Sequence, residues 1–257
     1  MKHPHNHYIA VLTSSLLMDS KKLPTGCEVI DEFLEGGFEH DVVSTIFGPA
    51  GSGKTTICLL ASINTAKEKK VLYVDTEGSF SVERLKQLIG KGYEKILDKI
   101  FVLKPTTFEQ QQKVIEQLKD SVNDKVGLVV IDTIAMLYRA EMGNNEDYQQ
   151  VNKMLAKQMA ELIRIARDKG VPVIVTNQVY ADFENKNAVH LVGGDVTKYA
   201  SKCLVELQHL NNSKRKAILR KHRHIADGKE IFFEIREKGL FKADDESEKQ
   251  KKGFRLF

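Results

Sequence analysis

The sequence predicts an α/β fold in which a mostly parallel sheet is flanked by helices and continues into an antiparallel extension near the C-terminus. Between residues 42 and 175, short apolar and β-branched runs alternate with helical patterns, which is typical of parallel strands covered on both faces. A glycine-rich loop separates the first run from the first long helix. After residue 200, shorter runs are joined by polar turns, which indicates antiparallel strands.

Eight apolar runs define the predicted strands. The parallel ones are predicted at 42–47, 71–74, 100–103, 128–131 and 173–175, and the antiparallel ones at 203–207, 217–219 and 231–235. The clearest helix is predicted at about 146–168, because apolar residues recur there at the spacing of one helical face. These residues are Leu155, Met159, Leu162, Ile163 and Ala166.

Composition and length restrict the class of protein. The chain has 257 residues, of which 42% are hydrophobic and 29% charged, and this excludes a disordered or low-complexity chain. Its three cysteines form no CxxC pair, so neither a disulfide framework nor a zinc ribbon is indicated. A net charge of +4 is modest for a dedicated nucleic-acid binder.

No targeting or membrane segment is recognisable. The apolar runs are shorter than the roughly 18 residues of a membrane span, and the N-terminus lacks the apolar core of a signal peptide. We therefore expect a cytoplasmic protein without a membrane partner. Residues 1–22 are predicted to be a leader, 23–241 a single folded domain and 242–257 a charged tail.

The strongest local signal is a phosphate-binding loop at 48–55, which satisfies the pattern G-x-x-x-x-G-K-[ST]. Its predicted nucleotide-binding residues are Gly48, Pro49, Ala50, Gly51, Ser52, Gly53, Lys54, Thr55 and the following Thr56. Glycines let backbone N–H groups approach phosphates without a Cβ clash. Lys54 is expected to neutralise the β and γ oxygens and Thr55 to ligate Mg²⁺. The loop predicts ATP and Mg²⁺ as cofactors.

Three polar residues follow other predicted strands, at the edge where ligands bind in open α/β sheets. Asp132 follows the run at 128–131 and is predicted to be the second residue that holds Mg²⁺. Glu77 could orient the attacking water, or it could be an exposed glutamate of a turn. Gln178 could hydrogen-bond the γ-phosphate, or it could be an ordinary polar residue at a strand end.

The order of these motifs resembles the RecA superfamily, in the branch of the archaeal and eukaryotic recombinases. Besides the loop, the resemblance is carried by the segments 23–37, 75–84, 128–132 and 176–179. It covers about residues 20–240 and is greatest to short archaeal paralogues that consist essentially of the ATPase core. It implies a RecA-like P-loop ATPase core at 23–241.

The resemblance also implies roles for single residues. Glu77 would position the hydrolytic water, Lys54 and Gln178 would act on the γ-phosphate, and Arg84 would pack near the adenine. Two DNA-facing loops are implied at about 139–148 and 180–194, where Arg139 and Lys186 are the candidate DNA contacts. Phosphate neutralisation dominates DNA affinity, and these segments contain few basic residues. We therefore expect little strand exchange by this chain alone.

A basic segment near the C-terminus contains six cations within ten residues and no acid: Lys214, Arg215, Lys216, Arg220, Lys221 and Arg223. One interpretation is a solvated strand edge, which lysines often protect. The other is a DNA surface, with Lys214, Arg215, Lys216 and Arg220 as candidates. Lys221 and Arg223 form a K-x-R pattern that resembles the trans-acting finger of RecA- and KaiC-type ATPases, which predicts that they complete the nucleotide site of a neighbouring subunit.

Together these features predict an ATP- and DNA-binding paralogue in homologous recombination and DNA repair. We expect a weak ATPase that assists the main recombinase and other repair proteins, and that could form a homo-oligomer. Two alternatives remain at this point. One is an autonomous strand-exchange recombinase, and the other is a KaiC-like signalling ATPase without a DNA function.

Overall fold

The computed structural model describes residues 22–144, 147–181, 189–210 and 213–244. Outside these ranges lie residues 1–21 of the predicted leader, residues 245–257 of the predicted tail, and Lys186. None of the helices in the described ranges is long and apolar enough to cross a membrane.

Nine strands of the described chain form one sheet. They are β3 (Val43–Phe47), β4 (Lys70–Asp75), β5 (Ile100–Leu103), β6 (Val126–Asp132), β7 (Val173–Asn177), β10 (Cys203–His209), β11 (Lys214–Lys221), β12 (Glu230–Arg236) and β13 (Gly239–Lys242). The order across the sheet is β13-β12-β11-β10-β3-β7-β6-β4-β5. Neighbouring strands from β10 to β5 run parallel, and those from β13 to β10 run antiparallel.

Two small antiparallel pairs accompany this sheet. The first pairs β1 (Lys22–Leu23) with β2 (Phe38–Glu39), and the second pairs β8 (Val179–Ala181) with β9 (Val189–Leu191). The helices are α1 (Glu28–Phe33), α2 (Lys54–Ala66), α3 (Val82–Ile89), α4 (Tyr93–Leu97), α5 (Phe108–Ser121), α6 (Ala135–Asn144), α7 (Tyr148–Lys169) and α8 (Gly194–Ala200).

The long helix α7 has clear local start and stop signals. The Asp147 side chain accepts a hydrogen bond from the Gln150 N–H at 3.0 Å, which caps the first turn. Gly170 ends the helix with φ 59°, a left-handed conformation that glycine adopts without a Cβ penalty. Leu155, Met159 and Leu162 are buried along one face, as the sequence pattern predicts.

The core consists of two apolar clusters, one on each face of the sheet. In β4, Val71 and Tyr73 belong to the cluster on the α2 side, whereas Leu72 and Val74 belong to the cluster on the side of α5 and α7. Successive strand residues point to opposite faces, and a sheet covered on both faces needs apolar residues on both. The continuous apolar runs of the sequence have this cause.

The predicted fold class is confirmed, with corrections in detail. β10, predicted to be part of the antiparallel extension, runs parallel to β3 and antiparallel to β11. On α7, Ile163 is only half-buried and Ile165 is buried instead. The strand Gly239–Lys242 was not predicted and begins just inside the expected end of the domain, so the first residue of the predicted tail, Lys242, lies in the sheet.

One interpretation of the basic segment and the two expected loops need correction. β11 lies between β10 and β12, so the basic segment is not a strand edge. The segment at 139–148, expected as a loop, is helical up to Asn144 and again from Tyr148. Of the second expected loop, the described parts form the β8–β9 pair and the start of α8.

Candidate nucleotide site

The candidate site lies at the carboxyl edge of the parallel strands. β3 runs into the phosphate-binding loop, β4 precedes Glu77, β6 ends at Asp132 and β7 precedes Gln178. Since these strands are parallel neighbours, their carboxyl ends meet at one edge of the sheet. The structure therefore brings together the four groups that the sequence predicts for nucleotide chemistry.

Two glycines of the loop lie where a side chain would clash or be strained. A Cβ on Gly48 would lie 2.3 Å from the Leu207 carbonyl oxygen, and one on Gly53 would lie 3.1 Å from Ile235 Cδ1. Gly53 has φ 109° and precedes the first residue of α2. Because glycine has no side chain to cap the helix, the first N–H groups of α2 remain available to an anion.

Lys54 is held over the loop by two carbonyl groups. Its Nζ donates to the oxygens of Gly48 and Pro49, both at 2.9 Å. Burial lowers the pKa of Lys54, while the negative charges of Glu77 and Asp132 raise it. The ammonium group is thus partly desolvated, a condition in which it interacts strongly with phosphate charge.

The buried Ser52 hydroxyl is a further feature that suits the loop to a polyphosphate. The Ser52 hydroxyl is buried and has no hydrogen-bond partner within the described ranges, and buried polar groups normally have one. Thr55 and Thr56 lie half-buried in the first turn of α2. A phosphate oxygen against this turn would satisfy the Ser52 hydroxyl and the first N–H groups together.

Asp132 sits in a network of hydroxyl groups. It is 2% exposed, and its carboxylate accepts hydrogen bonds from Tyr73 at 2.7 Å, Thr176 at 2.5 Å and Ser79 at 3.1 Å. Burial and the charge of Asp132 raise the pKa of Tyr73 well above its ordinary value, so the phenol stays a donor. The Asp132 carboxylate and the Thr55 hydroxyl are the hard oxygen ligands that Mg²⁺ prefers.

The loop that presents Glu77 is organised by Asp75, which the sequence analysis missed. The buried Asp75 carboxylate accepts from the backbone N–H groups of Ser79 at 2.9 Å and Phe80 at 3.2 Å. The Thr76 hydroxyl donates to the Thr133 carbonyl at 2.7 Å, which ties this loop to the end of β6. An aspartate followed by small polar residues is the signal that could have predicted the turn.

Glu77 and Gln178 are in direct contact. The Gln178 amide nitrogen donates to the Glu77 carboxylate, and the amide oxygen accepts from Arg139 Nη1 at 3.0 Å. Burial raises the pKa of Glu77, and the hydrogen bond from Gln178 opposes that rise. The two residues that the sequence analysis could only place at separate strand ends therefore act on each other.

Two side chains from the extension hold the outer side of the phosphate-binding loop. A ring nitrogen of His209, Nε2, lies 2.8 Å from the Ala50 carbonyl oxygen. Arg215 donates to the Gly51 carbonyl from Nε and Nη2, both at 3.4 Å. Neither role was predicted, because the partners are far apart in the sequence and carry no local signal.

Comparison with known proteins agrees with this fold. The family model described as Rad51 matches residues 18–243. The DNA repair and recombination protein RadB of Methanobrevibacter smithii is 42% identical, covering 86% of this chain and 96% of the relative. The chain belongs to the Rad51 family, in its RadB branch. The RadB protein of Methanocaldococcus jannaschii is 37% identical, covering 82% of this chain and 98% of that relative.

A solved structure supports the same assignment. The structure titled "Crystal structure of the RadB recombinase" matches with a TM-score of 0.75 and 34% identity, covering 86% of this chain and all of that chain. The resemblance to short archaeal paralogues of the RecA superfamily is thus confirmed. The Rad51/RecA-like fold is also confirmed.

In this Rad51-family chain, Arg84 connects α3 with the end of the antiparallel extension. Its guanidinium donates to the Arg236 carbonyl at 2.8 Å and to the Glu237 carbonyl at 2.9 Å. The loop of Glu77 therefore leads into α3, which is hydrogen-bonded through Arg84 to the turn after β12. Packing against adenine remains a prediction for Arg84.

The basic segment of the Rad51-family chain is largely engaged with its own chain. Lys216 pairs with Glu230 at 2.7 Å, and Arg220 pairs with the buried Glu206 at 2.5 Å. In the K-x-R pattern, Lys221 Nζ donates to the Lys198 carbonyl at 3.2 Å. Arg223 contacts Asp41 at 3.1 Å and the buried Glu39 at 3.5 Å. The remaining candidate, Lys214, lies at the start of the same strand.

The three cysteines lie in the interior of the described chain. Cys27, Cys58 and Cys203 are buried and form no disulfide. Burial raises the pKa of Cys203 to about 12, so this thiol stays protonated and unreactive. All three cysteines contribute to the packing of one core cluster.

Proposed function

We propose that this RadB-family protein binds ATP with Mg²⁺, hydrolyses it slowly, binds DNA and assists the main recombinase in homologous recombination and DNA repair. The observation that supports it best is the convergence of Lys54, Asp132, Glu77 and Gln178 at one sheet edge. The named relatives are DNA repair and recombination proteins.

Each residue of the site has a task in this proposal. The N–H groups of the loop and of the first turn of α2 bind the phosphates, and Lys54 neutralises their charge. Thr55 and Asp132 would hold Mg²⁺, which supplies charge neutralisation at the β and γ oxygens. Tyr73, Ser79 and Thr176 hold the Asp132 carboxylate in place through hydrogen bonds from their hydroxyl groups.

Glu77 is proposed to orient the attacking water and accept its proton. The carboxylate is held by Gln178, whose amide nitrogen is a donor that could also reach a γ-phosphate oxygen. The residue after Asp132 is Thr133 rather than a second acid, so Glu77 is the proposed base. A base shared with a neighbouring amide is consistent with slow turnover.

The proposed accessory role rests on charge. Arg220, Lys216 and Arg223 lie against carboxylates of the same chain, which lowers their attraction for DNA phosphates. Arg139, Lys214 and Arg215 are the proposed DNA contacts of first choice. Lys221 and Arg223 could complete a neighbouring nucleotide site in a homo-oligomer only after leaving their partners in this chain.

The test combines ATP turnover with DNA titration. Purified wild type should release phosphate slowly, and Glu77→Gln should abolish this release while ATP binding persists. Glu83→Gln, which changes an exposed glutamate on α3, is the control and should retain turnover. DNA affinity, measured with and without ATP over several salt concentrations, should fall as salt rises.

The outcomes separate the alternatives. Efficient joint-molecule formation with ATP and single-stranded DNA would replace the accessory role by autonomous strand exchange. ATP turnover without salt-dependent DNA affinity would favour a signalling ATPase. Full turnover by Glu77→Gln would refute the proposed base.

A further inference from the structure

Arg139 contacts Gln178 of the candidate nucleotide site, whereas the sequence analysis suggested only a DNA contact for it. Arg139 lies on α6, and its guanidinium donates to the Gln178 amide oxygen at 3.0 Å. The nitrogen of the same amide donates to Glu77. A continuous chain of hydrogen bonds thus runs from α6 through Gln178 to the carboxylate at the candidate site.

The donor and acceptor groups at the two ends of this series of hydrogen bonds fix the orientation of the Gln178 amide. A glutamine amide donates from nitrogen and accepts at oxygen, a carboxylate only accepts, and a guanidinium only donates. Only one orientation of the Gln178 amide satisfies both partners. If the amide turned by 180°, its oxygen would face the carboxylate and its nitrogen would face the guanidinium, so both hydrogen bonds would be lost.

The backbone around Gln178 is fixed, but the end of its side chain is not. The buried Asn177 donates from Nδ2 to the Val192 carbonyl at 2.8 Å. The Val192 N–H donates to the Gln178 carbonyl at 3.1 Å. These bonds place the Cα of Gln178, whereas the direction of its amide depends on the groups at its tip.

We infer that Arg139 is a positioning residue of the nucleotide site, which orients the Gln178 amide and through it the Glu77 carboxylate. This inference rests on the proposed function for its effect on turnover, but not for its effect on the amide. Arg139 touches neither substrate nor the reacting atoms in this role. Its contribution is to keep the donor end of Gln178 on Glu77.

The direct test observes the amide itself. Nuclear magnetic resonance of the full chain can follow the Gln178 side-chain amide, which is assigned by its disappearance in Gln178→Ala. In Arg139→Ala, the amide protons should shift towards the values of a solvated glutamine. Arg139→Lys retains a cationic donor and should restore part of the shift. Arg167→Ala, which removes an exposed arginine of α7, should leave the signal unchanged.

Turnover supplies the second readout. The hydrogen bond from the charged guanidinium lies at an exposed site, so its loss should have a moderate effect, and Arg139→Ala should lower kcat by about two- to tenfold. The KM for ATP should stay unchanged, because phosphate binding at the loop is not altered. Arg139→Lys should recover part of kcat. Such recovery would show that the alanine variant loses turnover through the missing donor and not through misfolding.

One result would overturn the inference, namely a Gln178 amide signal in Arg139→Ala identical to that of the wild type, whatever happens to turnover. If the same variant also binds DNA more weakly, Arg139 is a DNA contact only. If the wild type releases no phosphate, the proposed function fails, whereas the amide signal still decides the role of Arg139.

Discussion

The nucleotide edge and the basic strand β11 both stood out in the sequence, but they differ in what their charges do. At the nucleotide edge, Lys54 donates to loop carbonyls and Asp132 accepts from hydroxyl groups within the described ranges. In β11, Lys216 and Arg220 face carboxylates of neighbouring strands. In the first region the charges contact neutral groups, whereas the second region uses much of its charge in ion pairs within the sheet.

This difference shows how far the function of a charge cluster can be inferred from the sequence. The meaning of the phosphate-binding loop depends on consecutive residues whose backbone geometry is set locally. The meaning of six cations in a strand depends on the side chains opposite them, which come from other parts of the chain. The following predictions test this contrast, from the largest expected effect to the smallest.

Lys54→Ala should have the largest effect. Removing a charge that stabilises the transition state typically costs 10²- to 10³-fold in rate, so phosphate release should fall by about that factor. The control is Lys67→Ala at the exposed end of the same helix, which should leave release unchanged. A loss below about tenfold would mean that Lys54 remains engaged with the loop carbonyls during turnover.

Tyr73→Phe should lower the free energy of unfolding by about 1.5–3 kcal/mol, because a hydrogen bond to a buried carboxylate is lost. Urea unfolding measures this value. Tyr199→Phe, at a tyrosine 69% exposed, is the matched control and should change stability little. Equal stability of both variants would show that Asp132 does not depend on the phenol.

Arg220→Ala should lower the free energy of unfolding by about 1 kcal/mol. It leaves Glu206, whose side chain is 7% exposed, without its ion-pair partner, although Glu206 keeps a hydrogen bond from Gln208. Because Arg220 itself is 47% exposed, the loss is smaller than for a fully buried pair. Adding Glu206→Gln should recover part of the loss. If Arg220 contacts DNA instead, the slope of log affinity against log salt should fall by about 1.

Gln178→Ala should move the pH dependence of turnover. Burial raises the pKa of Glu77 above its ordinary value of 4.5, and the hydrogen bond from Gln178 lowers it. A base must be ionised, so kcat should fall as pH drops through this pKa. Without Gln178 the pKa rises further, and the acid limb of the kcat profile should move to higher pH. An unmoved limb would exclude this coupling.

The sequence predicted the parts of the site whose signal is contiguous. Lys54, Thr55 and Asp132 each stand beside a strand or glycine pattern that determines their position. Tyr73 was not predicted as a partner of Asp132, which is 59 residues away, nor His209 as a partner of Ala50, which is 159 residues away. Such contacts depend on strand order, and periodicity does not encode strand order.

The prediction for Arg139 failed in conformation for a related reason. The segment from Arg139 was expected as a loop because it matches a DNA-facing loop of the RecA superfamily. Gly143 and Asn144 are also weak helix formers. The structure continues α6 to Asn144, and Tyr138 of this helix is buried. Packing of the helix outweighs the weak local preference.

Arg215→Ala should have the smallest effect and tests the one residue that belongs to both regions. Arg215 lies in the basic strand, yet it donates to the Gly51 carbonyl of the phosphate-binding loop at 3.4 Å. Bonds of this length are weak, so ATP affinity measured by calorimetry should fall only about two- to threefold. Lys216→Ala, next to it and paired with Glu230, should not change ATP affinity. Equal ATP affinity of the two variants would place Arg215 with the cations of the sheet, whereas the expected difference makes β11 a support of the nucleotide site.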